Sequence, residues 1–190
     1  MQLSWESPVA DDRYVAERGW ERAILDACPF HPEGGCGLQR LGTYSRVAPA
    51  GARVARWWCP KERRSISLLP SFLAAWWSGT LDQVEAVVDA VEQAGSIAAA
   101  VESVHPADAE DALGLEGAQR SIRRRVVAVR AALLAIITLL PAQFVGVPPV
   151  LSHLRAALGT DRVLVALRAL AWRHLPSLPA PLGFCARANT

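Results

Sequence analysis

The sequence has 190 residues, of which 52% are hydrophobic and 20% are charged, and its formal net charge is +2. A wholly disordered chain is excluded, because that class combines low hydrophobicity with high net charge. Only four cysteines occur, and the 13 glycines follow no triplet period, which excludes a disulfide scaffold and a collagen-like chain.

Charge is distributed unevenly along the chain. Residues 1–116 contain 10 basic and 17 acidic residues, whereas residues 117–190 contain 10 arginines and a single acid, Asp161. The net charges of these two parts are therefore −7 and +9. A basic C-terminal part suggests a polyanionic partner, and mutual attraction of the two parts is an equally open interpretation.

Residues 1–12 carry acids and no apolar run preceded by positive charge, so no secretory signal is recognisable. We therefore expect a cytoplasmic protein whose cysteine thiols stay reduced. Residues 11–27 are predicted to form a short helix weakened by Gly19, which makes residues 1–27 an N-terminal helical extension.

Residues 28–70 are rich in proline and glycine, which favour turns, and contain two β-prone segments, residues 42–46 and 53–58. Three cysteines and one histidine accompany these pieces, and thiolate and imidazole ligands suit tetrahedral Zn²⁺. We predict a zinc-ribbon-like module in which the metal replaces a core too small to be stable by burial alone. The candidate ligands are Cys28, His31, Cys36 and Cys59.

The identity of the ligand set leaves alternatives open. The place of a further ligand, two residues beyond the second Cys-Pro pair, is taken by Glu62. The four residues above form a complete site, or Glu62 replaces one of them, or the site has decayed and the cysteines are ordinary core residues. A thiol enzyme with Cys28 or Cys59 as nucleophile and a histidine as base is the competing chemical hypothesis.

Seven basic residues and one acid lie between residues 38 and 64, interleaved with Tyr44, Trp57 and Trp58. Guanidinium groups match phosphate oxygens, and aromatic rings stack on exposed bases. The alternative is a solvated strand face above a tryptophan-anchored core. The candidates for contact with nucleic acid are Arg40, Arg46, Arg53, Arg56, Arg63 and Arg64.

Beyond residue 70 the apolar residues recur at helical spacing, beginning with a capping box at Thr80 and Gln83. Residues 71–175 are predicted as a helical domain and residues 176–190 as a proline-rich tail. The first three helices would form a helix-turn-helix-like unit, with a plain helical bundle as the alternative. The predicted helices cover residues 81–94, 96–104, 115–140, 150–158 and 161–175.

The predicted helix at residues 115–140 carries arginines on an arc away from its apolar stripe, as a helix that presents arginines to a DNA groove would. An uncharged stretch at residues 131–152 is interrupted by prolines, so we predict buried core there rather than a membrane span. The candidates for contact with nucleic acid on this helix are Arg120, Arg123, Arg124 and Arg130.

Four segments together resemble a known family: Cys28-Pro-x-His-Pro-x-Gly-Gly-Cys36, Leu41-Gly42-Thr43-Tyr44-x-Arg46, Arg56-Trp57-x-Cys59-Pro60 and Ser67-Leu68-Leu69-Pro70. They are similar to uncharacterised bacterial zinc-ribbon and helix-turn-helix proteins related to the N-terminal DNA-binding regions of transposases. The resemblance covers about residues 28–130 and implies a DNA-associated protein. That family often has histidines where this sequence has Leu41 and Arg63 or Arg64.

We therefore predict an α+β, mainly helical protein that binds DNA without catalysis, in a transposase-associated or regulatory role. Metal-dependent strand transfer needs several carboxylates, and past Glu116 only Asp161 is present. We expect Zn²⁺ as cofactor, no small-molecule substrate and no membrane, and we leave a homodimer open. The alternative is a protein–protein interaction module that uses the tryptophan pairs at residues 57–58 and 76–77.

Overall fold

The structure is a computed structural model that describes residues 1–9, 11–104 and 112–185. The chain divides into two compact units, Met1–Thr80 (unit 1) and Leu81–Thr190 (unit 2). Unit 1 contains a four-stranded sheet, and α-helices follow in unit 2. The prediction of an α+β fold, with an N-terminal sheet followed by helices, is therefore confirmed.

The sheet of unit 1 is formed by β1 (Gln2–Trp5), β2 (Gln39–Ser45), β3 (Arg53–Cys59) and β4 (Arg64–Pro70). The strand order is β1-β4-β3-β2, in which β2, β3 and β4 are antiparallel neighbours and β1 runs parallel to β4. The register of β2 against β3 shifts between Arg40 and Gly42, where the ladder is irregular.

The sequence predicts β2 and β3 but neither of the other two strands. Strand β1 has only four residues, which is too short for an alternating pattern to stand out. The last five residues of β4 are all buried, so the alternation that identifies a half-buried strand is lost. Pro70 ends β4, a position where a proline costs no ladder hydrogen bond within the strand.

The predicted helix at residues 11–27 is wrong. This segment forms turns and a 3₁₀ helix at Gly19–Arg22, and Arg18 before it adopts a left-handed backbone with φ 52° and ψ 46°. The cause is a tertiary contact: the ring of Tyr14 is buried, and a Cβ atom on Gly19 would lie 2.3 Å from the Tyr14 ring. The Tyr14 hydroxyl donates to the carbonyl of Arg53 on β3 at 2.9 Å. Packing against the sheet therefore overrides the helical pattern.

One side of the sheet packs against the chain that precedes β2. Ala55 of β3 and Leu68 of β4 form a buried cluster with Ala23, and Trp5 and Leu25 cover its edge. A second cluster lies alongside and contains Ile66 of β4 together with Cys28, Cys36 and Cys59. The cysteines therefore pack against this side of the sheet.

The segment that follows β4 belongs to unit 1, so the boundary between the units lies after Thr80 and not, as predicted, after Pro70. Gly79 donates its backbone N–H to the carbonyl of Ala48 at 3.0 Å, and Leu73 forms a β-bridge with Thr80. The first of these contacts ties the segment to the loop between β2 and β3, and the second closes the segment on itself.

Each of the five predicted helices overlaps an α-helix in the described part of unit 2. The fifth is shorter than predicted, because a 3₁₀ helix at Trp172–His174 replaces its last turns. Between the second and third predicted helices the sequence also predicts an acidic loop at residues 108–111, which contains three acids and lies outside the described residues. The helices are α1 (Leu81–Ala94), α2 (Ile97–Val104), α3 (Ala112–Leu139), α4 (Leu151–Leu158) and α5 (Val163–Leu170).

Carboxylates of α1 hold the two helices that follow α3. Glu85 accepts hydrogen bonds from the backbone N–H groups of Val163 and Leu164 at the start of α5, at 3.1 and 2.9 Å. Glu92 accepts from the N–H groups of Leu151 and Ser152 at the start of α4, at 3.2 and 3.4 Å. Both side chains therefore satisfy backbone donors that a helix start leaves unpaired.

Residues 176–185, predicted as part of a tail, pack into unit 2. Leu178 and Leu182 are buried, and the buried guanidinium of Arg168 donates to the carbonyls of Pro181 and Leu182 at 2.7 and 2.9 Å. The proline-rich segment therefore contributes to the core of unit 2.

Candidate metal centre and arginine surfaces

The four predicted metal ligands lie together in unit 1. One ligand atom from each of the four residues lies within 4.8 Å of the other three. His31 Nδ1 is 3.8 Å from the Sγ atom of Cys28 and 3.6 Å from that of Cys59. A nitrogen and a sulfur ligand of one tetrahedral Zn²⁺, bonded at about 2.0 and about 2.3 Å, would be about 3.5 Å apart. Cys36 completes the cluster. The prediction that these four residues lie together is therefore confirmed.

The first two ligands are presented by a tight turn. His31 donates its backbone N–H to the carbonyl of Cys28 at 3.1 Å, and Gly34 donates to the carbonyl of His31 at 2.9 Å. Gly34 and Gly35 both have positive φ, at 85° and 75°, a backbone region that side chains make costly. The chain therefore reverses here and returns Cys36 to the cluster.

Cys59 is supplied by the sheet itself. It is the last residue of β3, and the turn at residues 60–63 leads directly into β4. Within this turn Glu62 donates its backbone N–H to Cys59 Sγ at 3.5 Å, and Arg63 donates to the carbonyl of Pro60 at 3.2 Å. An N–H directed at sulfur stabilises the thiolate form that a metal requires.

The cysteines differ in their ease of ionisation. Burial raises the pKa of the Cys28 thiol, but hydrogen bonds from His31 and from the backbone N–H of Phe30 outweigh burial and lower this pKa to about 6. Burial, followed by hydrogen bonds with the thiols of Cys28 and Cys59, raises the pKa of Cys36. The Cys28 thiol therefore ionises more readily than that of Cys36, and a bound cation favours the thiolate form of its cysteine ligands.

Glu62 lies beside this cluster and not within it. Its Oε1 atom is 3.6 Å from His31 Nε2, whereas His31 Nδ1 faces the sulfurs. A carboxylate on the outer nitrogen of a ligating histidine fixes the orientation and proton position of the ring. Glu62 therefore supports His31 from outside the cluster and does not replace a ligand.

Apolar side chains close the space around the sulfurs. Leu3, Leu25, Leu38 and Trp57 pack against the cysteine cluster, as does Phe30. The surroundings exclude water from the sulfurs, which strengthens the electrostatic attraction between thiolates and a cation.

Three of the predicted DNA contacts in unit 1 donate hydrogen bonds within the fold, and one of them, Arg53, donates to Thr43 Oγ1 at 2.7 Å. Arg40 donates to the carbonyl of Trp20 at 2.8 Å. The half-buried Arg46 donates to the carbonyls of Ala74 and Trp77. These hydrogen bonds give Arg46 a role in holding the segment after β4 against the sheet.

Other arginines of unit 1 lie at its surface. The guanidinium of Arg56 lies 6.0 Å from the centre of the Tyr44 ring, and that of Arg64 lies 5.7 Å from the centre of the Phe30 ring. Arg63 is exposed in the turn between β3 and β4. Within the described residues, no ion pair joins any of the six predicted arginines of unit 1 to a carboxylate.

The predicted arginines of α3 are all exposed. They alternate with buried residues of the same helix, among them Ile122, Val126 and Val129. In the part of the chain that the structure describes, none of the four forms an ion pair with a carboxylate. These exposed residues are Arg120, Arg123, Arg124 and Arg130.

A cleft of about 620 Å³ in unit 1 lies between the 3₁₀ segment and the strands β2 and β3. Sequence reasoning identified only two of its basic residues, because it assigned residues 11–27 to a helix. The positive φ of Arg18 next to Gly19 is a tertiary feature that no local pattern indicates. The lining residues are Arg18, Trp20, Glu21, Arg40, Thr43 and Arg53.

Comparison with known proteins found no match to this chain among protein-family models, curated proteins or solved structures. No helix within the described residues combines the length and the apolar character that crossing a bilayer demands.

Proposed function

We propose that this protein binds DNA without catalysis, in a transposase-associated or regulatory role, and that a structural Zn²⁺ stabilises unit 1. Phosphate contacts come from the arginines of α3 and from Arg56, Arg63 and Arg64 at the surface of unit 1. Arg40 and Arg46 serve mainly the internal hydrogen bonds already described.

One observation carries the proposal: four exposed arginines of α3 have no carboxylate partner among the described residues. At 100° per residue, Arg120, Arg123, Arg124 and Arg130 fall within an arc of about 120°. Like charges so close together repel, and a phosphate backbone relieves the repulsion while releasing counterions. Two described acids of unit 2, Asp89 and Asp82, bind Arg155 and Arg162 instead.

The donor set supports Zn²⁺ as the metal. Three thiols and one imidazole are soft or borderline ligands, which favour Zn²⁺ over Mg²⁺ and Ca²⁺. Four protein ligands fill a tetrahedral shell and leave no open position for a reacting water, which is the pattern of a structural site. Bound zinc contributes about 10–16 kcal/mol of apparent free energy in small modules.

The helical arrangement supports a groove contact by α3. Two residues, Gly95 and Ser96, separate α1 from α2, and both of these helices pack against α3. In this proposal α1 and α2 support α3, and the N-terminal half of α3 enters the major groove.

The test is binding of a fluorescent DNA duplex by the Arg123→Gln, Arg124→Gln double variant. Each phosphate contact contributes about 0.9 to the slope of log affinity against log salt, so the slope should fall by about 1.8 as affinity drops. Arg173→Gln, which changes an exposed arginine outside α3, is the matched control and should leave the slope unchanged. An unaltered slope in the double variant overturns the assignment of α3.

A second candidate function is supported by Trp76, whose side chain is 46% exposed and whose φ is 64°. A large exposed aromatic residue is typical of protein interfaces. In that case the partner is another protein chain, and binding changes little with salt because apolar burial drives it. The salt series on the unmodified protein therefore separates the two candidates.

A further inference from the structure

The cleft of unit 1 collects charge of one sign. Arg18, Arg40 and Arg53 line it together with one acid, Glu21. Three guanidinium groups and one carboxylate give the lining a formal net charge of +2. A cleft whose wall carries such an excess attracts an anion.

Two of the guanidinium groups are held in place by hydrogen bonds. Arg40 donates to the carbonyls of Trp20 and Glu21, at 2.8 and 3.3 Å. Arg53 donates from Nε to Thr43 Oγ1 at 2.7 Å, and its terminal nitrogen donates to the Ser45 hydroxyl at 3.3 Å. A guanidinium has five N–H donors, so each group keeps donors for a ligand. Because both groups are already ordered, binding costs less conformational entropy.

The third guanidinium is placed at the cleft by an uncommon backbone conformation. The backbone of Arg18 has a left-handed conformation, which L-residues with a side chain rarely adopt. The same conformation leads into the 3₁₀ helix, and Arg18 pairs with Glu21 at 2.8 Å. Glu21 therefore holds the position of Arg18 while reducing the positive charge of the cleft.

We propose that this cleft binds a phosphate monoester on a nucleotide-sized group. A phosphate monoester carries a charge of about −1.5 to −2 at pH 7, which balances the net +2 of the lining, whereas a phosphodiester carries only −1. Oxygens of the phosphate accept from the arginine forks. The volume of about 620 Å³ is that of a small-molecule site and exceeds the needs of a bare phosphate ion.

This site goes beyond the proposed duplex contact, because its residues are not those assigned to the duplex. The monoester has two sources: a free nucleoside monophosphate, or the 5′-terminal nucleotide of a DNA strand. Both present the same dianionic group to the cleft, and the experiment distinguishes them.

The test measures binding of thymidine 5′-monophosphate to the full chain by calorimetry, with dimethyl phosphate as the monoanionic comparison. We expect the monophosphate to bind at least about tenfold more tightly, since hydrogen bonds to charged groups are the strong ones. Arginine Nε–Hε resonances should shift on titration. Failure of the monophosphate to bind, or equal binding of both probes, overturns the proposal.

Variants locate the effect at the cleft. Arg53→Gln should weaken monophosphate binding about tenfold, and Glu21→Gln should tighten it, because removal of the carboxylate raises the net charge of the lining. Arg22→Gln, an exposed arginine of the same segment outside the lining, is the control and should bind as the unmodified protein does. Unchanged binding in both cleft variants refutes the site, and circular dichroism establishes that each variant is folded.

The two sources are separated by single-stranded oligonucleotides with a 5′-phosphate or a 5′-hydroxyl group. If the phosphorylated strand binds more tightly than both the hydroxyl strand and the free monophosphate, the ligand is a strand end. If the phosphorylated strand and the free monophosphate bind equally, the ligand is the free nucleotide. Duplex binding is measured on closed circular DNA, which has no ends. Its loss in the α3 double variant, with monophosphate binding intact, shows that the two activities are independent.

Discussion

Single residues explain why the cysteine cluster is preorganised. The backbone N–H of Glu62 donates to Cys59 from the turn before β4, and the imidazole of His31 contacts two sulfurs through one nitrogen and Glu62 through the other. The spacing of cysteine and histidine in the sequence is enough to predict this cluster. The role of Glu62 is not predictable from spacing, because it depends on which way the imidazole ring faces.

We predict that Glu62→Gln lowers metal affinity about tenfold without abolishing binding, since carboxylates that bind the outer nitrogen of a ligating histidine contribute factors of about 10–100. The measurement is competition against a chromophoric chelator. Glu33→Gln, a neighbouring exposed carboxylate with no such contact, is the control. A loss of stoichiometric binding in Glu62→Gln would instead make Glu62 a ligand.

Two glycines should respond in opposite directions to the same substitution. Gly19→Ala forces a Cβ atom to within 2.3 Å of the Tyr14 ring and should destabilise unit 1 by about 1–3 kcal/mol. Gly117→Ala adds a methyl group to α3 with no atom within 4 Å and should stabilise unit 2 by about 0.5–1 kcal/mol. Denaturant unfolding measures both, and equal signs would contradict this reading of the Tyr14 contact.

At the scale of elements, α1 holds much of unit 2 in place. Its acidic residues are spaced three or four apart, so they form one row along the helix. Glu85 in that row is 3% exposed and binds both the start of α5 and Arg155, at 2.9 Å to the latter. The hydrogen bond to Asp89, with that to Glu85, raises the pKa of Arg155. Periodicity predicts the helices, but these caps come from residues nearly 80 positions away and are not visible locally.

We predict that Glu85→Gln destabilises unit 2 by about 2–4 kcal/mol, because the amide nitrogen replaces an acceptor that buried N–H donors and a guanidinium require. Glu92→Gln, at the half-buried start of α4, should cost only about 1 kcal/mol. Thermal unfolding followed by circular dichroism gives both values. The reverse order would show that α4 and not α5 depends on α1.

At the scale of the whole molecule, the two units rely on different sources of stability. Unit 1 places three cysteines and a histidine at the centre of a small cluster, whereas unit 2 has an apolar core that includes Leu133, Ile136 and Leu154. Near residue 70 the sequence changes from a proline- and glycine-rich pattern to helical periodicity, which predicts two structural units. The boundary after Thr80 is not predictable from this change, because hydrogen bonds to distant residues determine it.

We predict that a chelator unfolds unit 1 and leaves unit 2 helical. Tryptophan fluorescence should change, since six of the seven tryptophans lie in residues 1–77, while most of the helical far-ultraviolet signal persists. Cys185→Ser, at an exposed cysteine outside the cluster, should bind one Zn²⁺ per chain as the unmodified protein does, whereas Cys59→Ser should lose it. Parallel loss of the helical signal would show that unit 2 depends on the metal.

The irregularity in β2 has a consequence for how molecules of this protein meet one another. Strand β2 is an outer strand of its sheet, and an outer strand invites a second molecule to extend the ladder. The shifted register between Arg40 and Gly42 interrupts the evenly spaced row of donors and acceptors that such growth needs. Together with the arginine at that position, it guards the chain against assembling edge to edge into fibres.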